Sequence, residues 1–287
     1  MMAVEKTLIT IVTATFNALK AGRREQLIRC VQSVAKLPIG HEHLIIDGAS
    51  TDGTVDVLRE LACSFKDVRI ISERDAGIYD AYNKGAKIAV GEWIHYLGCD
   101  DYIISPENMV AAIFKAEKDK LDFIVSPVQF GRNNAHGGVR LHTRLLGMGY
   151  SHQGVIMRKS VIAEFGGFDL RYKISADVDL TLRLHLAARR FGVFRKVFAY
   201  FDDGGISVAQ LAATREESTR SIAEHLKLNA GQLAQLRKKR LLPFGIAVRY
   251  LFHPDHAIRF SAFRLSICAI LNIFGLIGPT GRLAWQR

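Results

Sequence analysis

The most constraining stretch of this chain is residues 91–101, where an apolar segment ends abruptly on two adjacent carboxylates, Asp100 and Asp101. Adjacent carboxylates at a strand end repel each other, and a divalent cation relieves that repulsion. Mg²⁺ and Mn²⁺ take few protein carboxylates and fill their remaining positions with water and phosphate oxygens. The stretch therefore indicates a metal site whose other ligand is a diphosphate. A solvated turn at the strand end is the alternative, since Asp is common in turns.

The first hundred residues alternate apolar, β-branched runs with segments of helical spacing, which predicts a mostly parallel sheet covered by helices on both faces. We expect strands at 7–13, 43–47, 68–72 and 93–97, and helices at 23–36, 55–65 and 79–90. Thr51 or Thr54 is expected to cap the second helix. In open α/β sheets ligands gather beyond the carboxyl ends of the strands. Four polar residues fall at such ends: Asn17, Asp47, Asp75 and Asp100.

The middle of the chain continues this pattern less regularly, and the end departs from it. We expect a strand at 123–128, a polar glycine-rich loop at 131–139 and a helix that begins near Asp177. From Val208 onward the sequence is typical of helices.

Composition limits the class of protein. A chain of 287 residues fits one large domain, or one domain with an appendage, and 49% hydrophobic residues are enough for a buried core. The four cysteines show no CxxC spacing, so neither a zinc site nor a disulfide framework is indicated. No secretory signal pattern is visible at the N-terminus, and we expect the protein in the reducing cytosol.

The net charge of +11 is concentrated near the C-terminus. Residues 235–287 contain one acid, Asp255, and nine basic residues: Arg237, Lys238, Lys239, Arg240, Arg249, Arg259, Arg264, Arg282 and Arg287. Nucleic acid and an anionic membrane are the two partners that suit such a segment. Large apolar residues are interleaved with the basic ones, which favours a membrane interface. A helical subdomain or an oligomer contact with solvated arginines is the alternative.

Three motifs occur in one order: Thr10-Ile-Val-Thr-Ala-Thr-Phe-Asn17, Leu44-Ile-Ile-Asp-Gly-Ala-Ser-Thr-Asp-Gly-Thr54, and the stretch 73–101. Together they resemble family 2 glycosyltransferases of the GT-A fold. The resemblance covers about Thr7 to Ser207, roughly 200 of the 287 residues. It is closest in pattern to bacterial members that assemble capsule, exopolysaccharide and lipopolysaccharide sugars.

The resemblance implies a domain organisation. Residues 1–207 would form the GT-A domain, a mostly parallel central sheet flanked by helices. Its nucleotide-binding half would span about 1–101 and its acceptor and catalytic half about 102–207. Residues 208–287 would form a helical, basic extension that either binds membrane or packs on the domain.

The resemblance also implies a set of residues that contact the nucleotide sugar: Thr13, Thr15, Asn17, Asp47, Asp75, Asp80, Asn83, Asp100 and His152. Asp47 matches the family residue that reads the base, and a carboxylate there can accept an N–H from uracil or guanine. Many relatives have a second acid in the next position, where this chain has Gly48. Asp80 and Asn83 lie three residues apart on one helix face, so both could point at one ligand. Asp52 is expected to stabilise a turn.

Asp100 resembles the last acid of the family's Asp-X-Asp motif, whose first acid is replaced here by Gly98. The resemblance therefore implies Asp100 as the direct ligand of Mg²⁺ or Mn²⁺, with Asp101 nearby. His152 would contact metal, phosphate or acceptor, or serve a structural role. Lys84 would face the diphosphate or the solvent.

Asp177 matches the catalytic base of the family, the Asp of a Glu-Asp pair at the start of a helix. Ala176 replaces the Glu in this chain. Asp179 lies about 200° further around the helix, so both carboxylates cannot face one substrate atom. Helix capping is the alternative role of Asp177. Residues 201–207 resemble a mobile loop near the active site.

The expected function is inverting transfer of a sugar from a nucleotide-diphosphate sugar to a hydroxyl of a glycan or lipid-linked glycan. We expect the enzyme at the inner face of the cytoplasmic membrane, without a nucleic-acid partner and with its oligomeric state open. A catalytically weak, donor-binding or scaffold relative is the first alternative, because two motif acids are missing. A nucleotidyltransferase or dinucleotide enzyme is less favoured, because neither GxGxxG after the first strand nor GxxxxGK[ST] occurs. A nucleic-acid binder would leave the acidic residues unexplained.

Overall fold

The computed structural model describes residues 8–131, 135–146, 149–202, 204, 210–239 and 241–273. The chain divides into two compact units. The first comprises residues 1–139, 150–173 and 190–205, and the second comprises residues 140–149, 174–189 and 206–287. The second unit thus combines the C-terminal tail with two earlier segments. The domain boundary that we expect at residue 207 stays a prediction.

The first unit contains two sheets, and its strands are β1 (Ile9–Thr15), β2 (His41–Asp47), β3 (Val68–Ser72), β4 (Trp93–Gly98), β5 (Tyr102–Ile103), β6 (Phe123–Val125), β7 (Val128–Phe130), β8 (Ala135–Gly137), β9 (Val155–Arg158), β10 (Phe191–Val193) and β11 (Ala199–Phe201). The large sheet has seven strands in the order β10-β6-β9-β4-β1-β2-β3. Within it β9 runs antiparallel to both neighbours, and the other pairs are parallel. The predicted mostly parallel sheet is confirmed. A smaller sheet has the order β5-β11-β7-β8.

The helices of the first unit are α1 (Arg24–Val34), α2 (Thr54–Ser64), α3 (Ile78–Ile88), α4 (Pro106–Lys118) and α5 (Lys159–Glu164). Each of the first three connects two parallel strands, as parallel pairing requires. Two apolar clusters fill the spaces between sheet and helices, one around Ile11, Trp93 and Ile113 and the other around Leu27 and Ile45. Because β1 is buried along its whole length, its sequence is a continuous β-branched run rather than an alternating one.

The second helix does not have the cap that we predicted. Its N-cap is Gly53, whose backbone φ of 89° suits glycine. The carboxylate of Asp52 instead accepts bonds from the backbone N–H groups of Thr54 and Lys20, at 3.0 and 2.7 Å. The hydroxyl of Thr54 also donates to Asp52, at 2.6 Å, so it is not available as a cap. The structural role that we predicted for Asp52 is confirmed.

The second unit is helical in its described residues. Its helices are α6 (Ala176–Leu186), α7 (Leu211–His225), α8 (Ala230–Lys239), α9 (Phe244–Val248) and α10 (His256–Ile273). Its apolar core contains Leu182, Ile222, Leu242 and Leu265. A buried pair also lies inside it, with 2.6 Å between His185 Nδ1 and Asp255 Oδ2. No helix in the described part of the chain is long and apolar enough to cross a bilayer.

Candidate functional site

The carboxyl ends of β1, β2 and β3 lie side by side, and the polar residues beyond them bond to one another. Asn17, just past β1, has a left-handed backbone with φ of 45°. Its backbone N–H donates to Ser50 Oγ at 2.7 Å, and its side-chain oxygen accepts from the backbone N–H of Thr51 at 2.9 Å. These bonds join the ends of β1 and β2 into one surface, as the strand-end positions predict.

The two threonines on β1 that the resemblance implies as ligand contacts, Thr13 and Thr15, are buried. The hydroxyl of Thr13 lies 2.9 Å from His43 Nε2, inside the sheet. Thr15 is 6% exposed, and its backbone carbonyl accepts from Gly48. The side chain of Thr13 is therefore directed into the core, where it supports the strand from within. A ligand contact by its side chain does not fit this placement.

Asp47 is fully buried at the end of β2, and three donors surround its carboxylate. Ser50 donates from its backbone N–H at 2.9 Å and from its hydroxyl at 2.5 Å. The hydroxyl of Ser72, at the end of β3, donates at 2.7 Å. Asp47 thus ties two strand ends together. Serines in turns are common, so the sequence alone gave no reason to single out Ser50 and Ser72.

Asp75 has the more accessible carboxylate. Its Oδ1 accepts from the backbone N–H of Gly77 at 2.9 Å, at the start of α3. Its Oδ2 lies beside Gly48, where a Cβ atom would come within 2.8 Å of it. The same Cβ would lie 3.2 Å from the ring of Phe16, which is 62% exposed. A carboxylate and an exposed aromatic ring therefore border a position that has no side chain.

Asp80 and Asn83 do not converge on one ligand, contrary to the expectation. Asp80 accepts from the backbone N–H of Ala76 at 2.9 Å. The amide of Asn83 donates to the carbonyl of Phe168 and accepts from its N–H, both at 2.8 Å. Sequence spacing alone could not reveal this, because Phe168 lies 85 residues further along the chain.

Lys84 is bonded to neighbouring protein groups, rather than facing open solvent or a diphosphate site. Its ammonium group lies 3.0 Å from Glu73 and 3.6 Å from Asp80, and it donates to the carbonyl of Arg74 at 2.6 Å. These partners join the loop after β3 to helix α3.

Asp100 and Asp101 lie beyond the end of β4. Asp100 forms an ion pair with Arg23, with 2.7 Å between Nη1 and Oδ2. Asp101 is 2% exposed and accepts from Gln153 at 3.0 Å and from the backbone N–H of Asp202 at 2.9 Å. Burial raises the pKa of both carboxyl groups, and the charge of Asp100 raises that of Asp101 further. Among the strand-end acids of the described residues, Asp100 and Asp101 thus have the raised pKa values.

The glycine that replaces the first motif acid has a structural reason. A Cβ atom on Gly98 would lie 2.7 Å from Asp100 Oδ1 and 2.8 Å from Asp101 Oδ2. Both distances are below ordinary contact, so a side chain at this position would require the two carboxylates to turn away from where they lie. In this chain the carboxylates of Asp100 and Asp101 thus lie in the space that a side chain at position 98 would occupy.

Two residues that the sequence did not single out contact this pair, Arg23 and Gln153. Arg23 follows β1 by eight positions and also donates to the carbonyl of Gly204 at 3.1 Å. His152 is close enough that its charge lowers the pKa of Asp100 and Asp101 against the effect of burial. The sequence offers one indication of this role for Arg23, which is its place in the loop that follows the carboxyl end of β1.

No group of three or more His, Cys, Asp or Glu residues suited to a metal ion is found among the described residues. The possible metal ligands after β4 are instead one partly exposed carboxylate, Asp100, and the buried carboxylate of Asp101. This fits Mg²⁺ or Mn²⁺, which take few protein carboxylates when phosphate supplies the other oxygens. Burial raises the pKa of both carboxyl groups, and a bound cation would favour their charged forms.

The remaining predicted residues lie in the second unit or outside the described residues. Asp177 is in the first turn of α6, is partly exposed, and accepts from the backbone N–H of Val178 at 2.8 Å. The N-cap of that helix is Ser175, so Asp177 does not hold the capping position. Of the predicted loop 201–207, residues 203 and 205–207 lie outside the described residues.

Asp179 is buried and bonded to side chains of its own helix and of α7. It is 1% exposed and is contacted by Arg183 at 2.8 Å, His225 at 2.7 Å and Ser221 at 3.0 Å. Burial alone would raise its pKa, but the hydrogen bond from His225 and the charge of Arg183 outweigh burial and lower it. Asp179 therefore joins α6 to α7.

The fold and the strand-end carboxylates define a GT-A glycosyltransferase. A family model described as Glycosyl transferase family 2 matches residues 10–198, and the chain belongs to that family. It is a nucleotide-sugar transferase, as the sequence motifs predict.

Curated relatives are named glycosyltransferases. One, a PGL/p-HBAD biosynthesis glycosyltransferase of Mycobacterium bovis, is 30% identical over 187 residues, which cover 62% of this chain and 72% of the relative. An uncharacterized glycosyltransferase of Mycobacterium tuberculosis is 29% identical over 216 residues, which cover 69% of this chain and 76% of the relative.

Solved structures share the fold at low sequence identity. S. aureus TarS 1-349 in complex with UDP-GlcNAc has a TM-score of 0.62 and 15% identity, with coverage of 94% of this chain and 93% of that one. A mannosyltransferase from Pyrobaculum calidifontis in complex with GDP-Man and Mn²⁺ has a TM-score of 0.57 and 13% identity, with coverage of 95% and 88%.

Proposed function

We propose that this protein is an inverting glycosyltransferase that moves a sugar from a nucleotide-diphosphate sugar to a hydroxyl of a glycan or lipid-linked glycan. The observation that carries the proposal is the carboxylate pair beyond β4, in which the partly exposed Asp100 lies beside the buried Asp101. Such a pair suits a divalent cation whose other ligands are phosphate oxygens. Structures of similar fold contain UDP-GlcNAc in one case and GDP-Man with Mn²⁺ in another, which supports this donor class.

Asp100 would hold Mg²⁺ or Mn²⁺. Asp101, which is fixed by its bonds to Gln153 and the backbone of Asp202, would lie next to this ligand and keep it in place. When bound, the cation would neutralise charge on the leaving diphosphate. Arg23 neutralises Asp100 in the present arrangement, at 2.7 Å. Metal binding therefore requires Arg23 to share or release Asp100, which would free its guanidinium for a phosphate oxygen.

Asp75 is better placed than Asp47 to recognise the base. The carboxylate of Asp47 is fully buried among three donors, whereas Oδ2 of Asp75 lies beside Gly48 in the space of the second acid that many relatives have. The exposed ring of Phe16 next to it offers a face on which a base can stack. Oδ1 of Asp75 is already engaged by Gly77, which leaves one oxygen for one ring N–H. Uracil, with a single ring N–H, suits this arrangement.

Asp177 would act as general base and take the proton from the acceptor hydroxyl as its oxygen attacks the anomeric carbon of the donor. No enzyme nucleophile takes part, so a single displacement inverts that carbon. The first-turn position of Asp177, its partial exposure and the structural environment of Asp179 support this choice between the two acids.

We place the enzyme, as part of the same proposal, at the inner face of the cytoplasmic membrane, where a lipid-linked acceptor would lie. The basic, apolar C-terminal segment supports this location.

A catalytically weak, donor-binding relative is the second candidate, because Gly98 and Ala176 replace two motif acids.

A thermal-shift screen of nucleotide sugars, with and without Mn²⁺, tests the proposal. A ligand that binds the folded state raises the melting temperature with its concentration. We expect a UDP-sugar to raise it, and Mn²⁺ to enlarge that shift. The absence of a shift with every nucleotide sugar in the presence of Mn²⁺ would contradict the proposed donor binding. Turnover of the donor then separates an active enzyme from a weak relative.

A further inference from the structure

Helix α10 has an apolar stripe on its exposed side. Phe260, Phe263, Ile267 and Ile270 are 54%, 57%, 42% and 41% exposed. They recur at intervals of three and four residues, so they lie along one face of the helix. The opposite side is buried in the core of the second unit through Ile258, Ala262 and Leu265. We call the four exposed residues the outer stripe.

The turn before this helix adds a further exposed aromatic residue. Phe252 is 92% exposed, which is unusual for a phenylalanine in a water-soluble surface. Contiguous exposed apolar residues on a folded protein mark an interaction site. The question is therefore which partner covers the stripe.

The charges around the stripe are positive. Arg249, Arg259 and Arg264 lie in the same segment, and the described residues give none of them an acidic partner. Asp255 is the single acid in residues 241–273, and it is buried against His185. The surface of this segment thus presents apolar and cationic groups with no exposed carboxylate.

We propose that the outer stripe docks on an anionic lipid bilayer, with the helix lying in the plane of the interface. A helix with an apolar exposed face and arginines at the border of that face is suited to this position. The arginines would meet anionic headgroups, while the four side chains enter the acyl boundary. This inference rests on the proposed function, because it brings the enzyme to a lipid-linked acceptor.

Other occupants fit less well. A second copy that packed stripe against stripe would place the arginines of both copies at one interface, and residues 241–273 contain no exposed acid to offset them. Nucleic acid would satisfy the arginines and leave the apolar side chains without a partner. A bilayer satisfies both groups.

Flotation of the full-length protein with vesicles tests the proposal. The vesicles are phosphatidylcholine alone, or phosphatidylcholine mixed with phosphatidylglycerol. We expect flotation with the mixed vesicles and about tenfold less with neutral vesicles or at high salt, since salt screens the attraction. The double variant Phe263→Glu, Ile267→Glu should lose flotation, because it places carboxylates in the stripe.

Phe114→Glu is the matched control. Phe114 is 56% exposed on α4 of the first unit, so its replacement puts one carboxylate in place of an exposed aromatic side chain that is not part of the stripe. This variant should float like the wild type. Equal flotation of the wild type with neutral and anionic vesicles, or none with either, would overturn the proposal. So would normal flotation of the double variant, or a dimer in solution that only the double variant loses.

The thermal shift with nucleotide sugar is measured on the same proteins. The double variant should keep the donor shift, which also shows that it is folded. Loss of flotation with an unchanged donor shift supports the docking surface. Absence of a donor shift in every protein, with normal flotation, would contradict the proposed function and leave the docking surface standing.

Discussion

At the scale of single residues, Asp47 and Asp75 separate a structural role from a binding role. Asp47 accepts three bonds in a buried position, so Asp47→Asn would turn an amide donor toward a hydroxyl or N–H donor. Leaving a buried group without its partner costs about 1–3 kcal/mol. We expect Asp47→Asn to lower the free energy of unfolding by that amount, as measured by urea denaturation.

Asp75→Asn should change nucleotide binding and leave the stability of the fold nearly unchanged. Its amide oxygen can still accept from Gly77, so stability should change by less than about 0.5 kcal/mol, as is usual for surface substitutions. Its discrimination between UDP and CDP should fall, because the amide no longer presents a carboxylate to the uracil N–H. Calorimetric titration of both nucleotides checks this. Unchanged discrimination in a folded Asp75→Asn protein would return the base-reading role to another residue.

Asp177 is the residue on which the proposed chemistry depends. Asp177→Asn keeps the shape of the side chain but cannot take a proton. Loss of a positioned base typically lowers the rate by about 10²–10⁴-fold, so kcat should fall by that factor while donor binding persists. Release of nucleoside diphosphate gives the rate. Near-normal kcat in Asp177→Asn, with loss in a folded Asp179→Asn protein, would move the assignment to Asp179.

At the scale of elements, the buried carboxylate of Asp179 and its partly exposed partners Arg183 and His225 join α6 to α7. Removing one member of a buried ion pair costs about 3–5 kcal/mol, because the others lose their partner. We expect Asp179→Ala to lower the urea midpoint strongly. Asp177→Ala, on the same helix but partly exposed, is the matched control and should shift the midpoint little. Equal shifts in both variants would count against this account of the helix contact.

The elements also show how far the sequence predicts the fold. Strand β3 has the predicted bounds, and β1, β2 and β4 differ from theirs by one or two residues, because short apolar runs between turn residues carry a strong local signal. Helix α4 went unpredicted, although Ser105 caps it and Pro106 opens it, both ordinary start signals. The antiparallel insertion of β9 between β6 and β4 depends on long-range pairing, which has no local signal.

In the candidate site, too, local features of the sequence were predictable and long-range contacts were not. Strand-end positions identified Asp47, Asp75 and Asp100, since these follow from the alternation of strands and helices. The clamp between Asn83 and Phe168, and the ion pair between Arg23 and Asp100, depend on contacts between distant parts of the chain. Helical spacing placed Asp80 and Asn83 on one face but could not say which backbone would meet them.

At the scale of the whole molecule, two buried histidines make the fold sensitive to acid. Burial lowers the pKa of His43 to about 3 and that of His95 to about 4. Their pKa in the unfolded chain is about 6.5. Between these values the unfolded state binds more protons, so stability is present above about pH 6.5 and is lost as the pH falls. At pH 5 each histidine costs about 2 kcal/mol.

The test compares urea midpoints from pH 7 to pH 5 for the wild type and His43→Gln. The variant should be less stable at pH 7, where it loses the contact with Thr13, but its midpoint should fall less steeply with acid. His256→Gln, a substitution of an exposed histidine, should keep the wild-type slope. Because burial raises the pKa of Asp101 and thereby acts in the opposite sense, the difference between slopes is the readout. Identical slopes in all three proteins would contradict the account.

The central claim is that a nucleotide diphosphate binds at the carboxyl ends of β1 to β4 through a cation on Asp100. Calorimetric titration of UDP into the wild type and Asp100→Asn, each with and without Mn²⁺, tests it most directly. Asp56→Asn, which removes an exposed carboxylate from α2, is the matched control.

We expect Mn²⁺ to strengthen UDP binding in the wild type and in Asp56→Asn, and to have little effect in Asp100→Asn, because the amide is a poor metal ligand beside a diphosphate. Unchanged Mn²⁺-dependent binding in a folded Asp100→Asn protein would contradict the claim.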